Sequence, residues 1–136
     1  MSEHNKSVAL KFMEAMGTNN PQMAAACLAP DAAAIAKGFG KFAGTRQAQT
    51  MVGMIEEFKK IVPAGLRFTI LSVTAEGDRV VIEAEGNAVT SAGTPYCNQY
   101  CFVMTLADGK IKRVNEYFCN ILANDVLWPL VAPKAS

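Results

Sequence analysis

The chain is poor in the residues that most catalytic and metal sites use. It has one histidine, His4, in 136 residues. A Ser-His-Asp, Cys-His or His-carboxylate mechanism would have to run through that residue near the chain start. Acid–base chemistry therefore falls to Glu, Asp, Tyr, Lys or Cys. The four cysteines, Cys27, Cys97, Cys101 and Cys119, include no CxxC pair, so no zinc site or other metal centre is expected. Cys97 and Cys101 lie along one strand, where four residues span about 13 Å, against the roughly 4.4–6.8 Å that a disulfide prefers. The thiols read as reduced and buried. Net charge is only +1, without a block of either sign, so nothing in the charge favours nucleic acid or an anionic membrane. No apolar run approaches the ~18 residues of a membrane helix. The stretch with Glu3, His4 and Lys6 lacks a signal-peptide core. These absences lead us to expect a cytoplasmic protein with no cofactor.

What is present is apolar: 51% hydrophobic and 18% charged residues, the balance of a globular chain. Its length suits one domain, 1–136. Val8, Phe12, Met13 and Met16 recur at helical spacing over 3–16, and Gly17 suits the stop. Asn20 and Pro21 open a second short helix, with Met23, Cys27 and Leu28 inward and Pro30 at its end. Asp31–Ala36 reads as a short strand and Lys37–Gly44 as a glycine-rich loop without the spacing of a phosphate-binding loop. Thr45 reads as the N-cap of a long helix to about Val62, with Ala48, Met51, Val52, Ile55 and Phe58 as its apolar stripe. Pro63 closes it.

The second half is β. Leu66–Glu76 and Arg79–Thr90 are strands joined at Gly77-Asp78. Residues 96–106 and 110–119 form a hairpin around Asp108-Gly109, because both central residues of a type I′ turn need positive φ. Asn120–Trp128 reads as a last short helix stopped by Pro129. Helices followed by an antiparallel meander define an α+β domain, with helices on one face of a curved sheet and a cavity where they leave its concave side unfilled.

Strand residues alternate faces, so Tyr96, Asn98 and Tyr100 share one side, and Val114, Glu116 and Phe118 share one side of the next strand. Polar groups and rings on one face suggest a small-molecule pocket; ordinary cross-strand pairs are the plain alternative. A carboxylate between Val114 and Phe118 is desolvated, which raises its pKa and fits it for acid–base work near neutrality. The alternative is a solvated Glu116 paired with Lys112 or Arg113. Glu83, Glu85 and Asn87 share one face of their strand; Ile82, Ala84 and Ala88 share the other. By local pattern alone that is a polar-out strand.

The element order, PDAAAIAKGFGKFAG after the second helix, the YCNQY run and DGKIKRVNEYFC together resemble the nuclear transport factor 2-like superfamily. The chain looks most like its SnoaL-like polyketide cyclase and ketosteroid-isomerase-related members. The resemblance implies a conical α+β fold, with a strongly curved mixed or antiparallel sheet around about three N-terminal helices. It also implies a homodimer and a deep pocket for a small apolar molecule. In the steroid isomerases the base carboxylate follows the first strand, a position that falls on Ala36 here. Their oxyanion tyrosine falls on Phe12 and their second donor near Tyr100 or Cys101. Epoxide hydrolases of the superfamily place a last-strand Asp where Glu116 stands, and an Arg-x-Asp near Glu83 and Glu85. Both of those mechanisms therefore lack parts. The resemblance turns Glu85 inward, leaving Glu116, Glu85 and Tyr100 as the catalytic candidates. Asn98, Tyr96, Phe118, Val114, Met51, Ile55 and Phe12 become the substrate-binding wall. The expected activity is cofactor-independent acid–base catalysis of isomerase, cyclase or dehydratase type on a small apolar carbonyl compound. The alternative is a non-catalytic ligand-binding or dimerisation domain.

Overall fold

A computed structural model describes residues 2–131. Helix α1 (Ser2–Gly17) and helix α2 (Pro21–Cys27) come first, then strands β1 (Leu28–Ala36) and β2 (Gly44–Gln47) and helix α3 (Ala48–Phe58). The rest is β3 (Arg67–Glu76), β4 (Arg79–Val89), β5 (Pro95–Ala107), β6 (Lys110–Phe118) and two short helices, α4 (Asn120–Val126) and α5 (Trp128–Val131). The six strands form one mixed sheet in the order β2-β1-β6-β5-β4-β3. β1 runs parallel to β6 and the other pairings are antiparallel. The sheet is open and curved, with α1 packed on β3, β4 and β6, and α3 on β1.

Local chemistry explains most of the boundaries. The β5–β6 turn has φ of 53° at Asp108 and 76° at Gly109, as a type I′ hairpin requires. The Asn20 side chain accepts a hydrogen bond from the Met23 N–H at 3.1 Å, which satisfies an orphan donor at the start of α2, and Pro21 supplies the first turn. The inner sheet face carries the core. Ile82, Phe102, Met104 and Ile111 are fully buried against Phe12 and Met13 of α1. Each such side chain contributes about 1.5–3 kcal/mol through removal from water.

Four boundaries differ from the sequence reading. α2 ends at Cys27, and Pro30 lies inside β1, where the β1–β6 register breaks between Leu28 and Ala33. A proline has no N–H to give a ladder, so it sits where the ladder is interrupted. Thr45 does not cap a helix: residues 44–47 pair with β1, Thr45 opposite Ile35, and Gln47 precedes α3. α3 stops at Phe58, and single turns carry the chain on to Val62. Pro129 lies within α5. Trp128 meets Phe42 edge-on at 5.4 Å, which ties the last helix to the 37–44 loop.

Candidate functional site

The concave face encloses an apolar cavity of about 160 Å³. Phe12 of α1, Met51 and Ile55 of α3, Phe68 of β3, and Val114 and Phe118 of β6 form much of its wall. Its polar groups are few: Tyr96 and Tyr100 of β5, Glu116 of β6, Arg46 of β2 and Asn19. Of the ten residues expected at a site, eight line this one cavity: Phe12, Met51, Ile55, Tyr96, Tyr100, Val114, Glu116 and Phe118. The register accounts for it. Tyr100 pairs with Phe118, Phe102 with Glu116 and Met104 with Val114, all facing inward.

Glu116 is the carboxyl of this cavity. Burial raises it from an ordinary 4.5 to about 7, against the lowering pull of Arg46. The two partners considered for a solvated Glu116 are engaged elsewhere. Lys112 forms an ion pair with Asp31 at 2.5 Å, and Arg113 Nε donates to Asn115 at 3.1 Å. A carboxyl with its pKa near neutrality exchanges protons readily in both directions. Ala36 stands opposite Glu116 in the β1–β6 register and lines the same cavity.

Behind the cavity, Asn98 organises the tyrosines. Its amide oxygen accepts from the Cys119 N–H at 3.2 Å and the Gln99 N–H at 2.7 Å. Its NH2 donates to the Cys119 carbonyl at 3.1 Å and to the Tyr96 hydroxyl at 2.7 Å. The amide orientation is fixed because Cys119 presents both a backbone donor and a backbone acceptor. Asn98 therefore positions Tyr96 and is not part of the substrate-binding wall expected: it does not line the cavity and its hydrogen-bonding capacity is spent. The Tyr96 and Tyr100 hydroxyls lie 3.4 Å apart. Asn98 donates to Tyr96, and one phenolic proton bridges the pair. The second phenolic proton has no acceptor among the described residues, so the pair offers one O–H donor. Tyr100 is held rigid by stacking on Phe102 at 5.5 Å and by the edge of Phe68 at 5.3 Å. Burial is the largest cause of the upward shift of both phenols, and the Glu116 charge adds to it. Both phenols stay neutral donors at pH 7.

Glu85 is not part of this constellation. It is exposed on the outer face, while Val80, Ile82, Ala84, Gly86 and Ala88 point inward. Glu85 and Glu116 do flank β5, but on opposite sides of the sheet, so they cannot bracket a substrate. The local polar-out pattern of β4 was the correct guide and the inward turn implied by the resemblance was not. The cysteines differ as well: all four are free, but only Cys27 is buried, Cys97 and Cys119 are exposed, and Cys101 is intermediate. Arg46 was missed. It lies on a four-residue strand without alternating apolar residues; its one signal was the run of inward small residues on β1 that it faces, opposite Ala34. Among the described residues no cluster of His, Cys, Asp and Glu is arranged to hold a metal ion.

Residues 9–114 match the SnoaL-like domain family, and the chain belongs to it. No curated protein matches the chain. Solved structures show the same fold. PrhC from Penicillium brasilianum is 18% identical with a TM-score of 0.83, over 96% of this chain and 90% of that one. An LEH-like epoxide hydrolase of M. tuberculosis is 17% identical with a TM-score of 0.73, over 98% of both chains. An NTF2-like protein of Burkholderia xenovorans is 18% identical with a TM-score of 0.74, over 93% of this chain and 97% of that one. At such identities the likeness is one of fold.

Proposed function

We propose that this protein is a cofactor-independent acid–base catalyst acting on a small, largely apolar carbonyl compound, as an isomerase, cyclase or dehydratase. The single observation that carries the reading is a carboxyl with a pKa of about 7 in an apolar cavity. In the first step the Glu116 carboxylate takes a proton from the carbon next to the carbonyl. The C–H bond breaks and its electron pair moves into the carbonyl, whose oxygen becomes the oxyanion. The free O–H of the Tyr96–Tyr100 pair donates to that oxygen, a preorganised donor in a mostly apolar cavity. Glu116, now protonated, returns the proton at another atom of the substrate. Phe12, Met51, Ile55, Val114 and Phe118 hold the apolar body.

Two further parts belong to this reading. A homodimer through the outer sheet face is supported by the exposed Val89 and Tyr117 there. A reducing, cytoplasmic setting is supported by four unpaired cysteines; among the described residues no helix is long and apolar enough to cross a membrane.

Proton exchange tests the catalytic reading without knowledge of the natural substrate. Cyclohexanone in heavy water exchanges its α-hydrogens, and NMR follows the loss of signal. The protein is expected to accelerate that exchange and Glu116→Gln to abolish the acceleration. Equal rates with and without protein would leave a binding domain in place of an enzyme.

A further inference from the structure

Among the described residues, the cavity is lined by one cation, Arg46. One Nη of its guanidinium donates to the Phe42 carbonyl at 2.8 Å, and it forms no ion pair among the described residues. A guanidinium has five N–H donors in a fork that matches a carboxylate, so most of this one's capacity is unspent. Glu116, the acid of the same cavity, does not pair with it. Its carboxyl feels Arg46 without forming a salt bridge, and desolvation outweighs the attraction. A half-buried Arg46 with unspent donors, in one cavity with a carboxyl that burial keeps partly protonated near neutrality, suits an anionic group entering that cavity.

The volume limits what that anionic group is attached to. A hole of about 150 Å³ in a protein core takes up benzene, and this cavity is about 160 Å³. It fits a ring with one or two substituents.

Resting on the small-molecule reading above, we infer that the substrate is a monocyclic-sized apolar keto acid whose carboxylate is held by Arg46, with its ring or chain against Phe12, Met51, Ile55 and Phe68. Arg46 is then a specificity-determining residue. It also makes the chemistry compatible with an anionic substrate, since its charge offsets the repulsion between the substrate carboxylate and an ionised Glu116. The charged or titratable groups that face Glu116 across the cavity are Arg46 from β2 and Tyr96 and Tyr100 from β5. α1, α3, β1 and α4 present Phe12, Met16, Met51, Ile55, Ala34, Ala36 and Ala123, none of which titrates.

The test compares benzoate with benzamide, which has the same shape and no charge, by calorimetric titration of the full chain. Wild type is expected to bind benzoate at least ~10-fold more tightly at pH 6, the usual worth of a charge-assisted pair. Benzoate affinity is expected to fall as pH rises through 7, because Glu116 becomes a like charge, while benzamide affinity changes little. Arg46→Gln should erase the preference and keep benzamide binding; Glu116→Gln should keep the preference and flatten the pH dependence. Equal affinities in wild type would overturn the role of Arg46 and leave the cavity as a site for neutral ligands. Loss of both ligands in Arg46→Gln would make Arg46 a structural tether of the Phe42 turn. Binding of neither ligand to wild type would overturn both this inference and the small-molecule reading beneath it.

Discussion

One sheet presents two faces, and each carries a glutamate on a strand next to β5. Glu116 points to the concave side, among Val114, Phe118, Tyr96 and Tyr100. Glu85 points to the convex side and is exposed. The residue type, the secondary structure and the neighbouring strand are shared; only the face differs. A one-residue offset in alternation decides which carboxyl loses its water and which keeps it. Desolvation makes the carboxylate costly, and that cost is what brings a carboxyl to neutral pH. A change on the inner face should therefore alter chemistry, and a matching change on the outer face should not.

The largest effect should follow Glu116→Gln. Loss of a positioned base is expected to lower the rate of α-proton exchange by at least ~10²-fold, with circular dichroism unchanged. An unaltered rate would remove the distinction between the two faces as a catalytic one.

Stability against pH sharpens the comparison. In the folded chain Glu116 holds its proton up to about pH 7, whereas an ordinary carboxyl loses it near 4.5. Between those values the folded state binds more protons than the unfolded one, so stability falls as pH rises. The full penalty above pH 7 is about 3 kcal/mol. Asp31 acts in the opposite sense and in a lower window, since the Lys112 hydrogen bond lowers its pKa. Urea unfolding at pH 5 and pH 8 should therefore show wild type losing stability and Glu116→Gln losing much less. Parallel curves for the two proteins would mean that Glu116 titrates as a solvated acid.

A smaller effect is expected of Tyr96→Phe. Tyr100, freed from donating to Tyr96, remains to donate but loses that tether, and Asn98 loses an acceptor; exchange should slow ~10-fold, about the worth of one neutral hydrogen bond, with little change in affinity for the ketone. A loss in affinity alone would move Tyr96 from the oxyanion to the wall. The smallest effect should be that of Glu85→Gln: stability within ~0.5 kcal/mol of wild type, as for most surface substitutions, and an unchanged exchange rate. A large drop in rate would bring the outer face into the chemistry.

The fold was legible wherever turn chemistry and alternation agreed. Asp108-Gly109 and Gly77-Asp78 placed both hairpins, and Asn20-Pro21 placed the start of α2. The site was legible on β5 and β6 because Tyr96, Tyr100, Glu116 and Phe118 keep strict alternation across one register. It was not legible on β4, where a polar face on an edge-side strand fits either a lined pocket or plain solvent; Ile82 and Ala84 mark the buried side. Asn98 was found by the face it shares with Tyr96 and Tyr100, yet its side chain is taken up largely by backbone, which no pattern of side chains reveals. Arg46 was hidden because Thr45 resembles a helix cap, and a four-residue strand has too little sequence to show a period.

The most direct measurement is the titration of Glu116 itself. Carbon-13 NMR of protein labelled at the glutamate side-chain carboxyl, assigned with Glu116→Gln, reads that carbon as a function of pH. The account predicts a midpoint near pH 7 for Glu116. A midpoint near the ordinary 4.5 would show a hydrated carboxylate and contradict it.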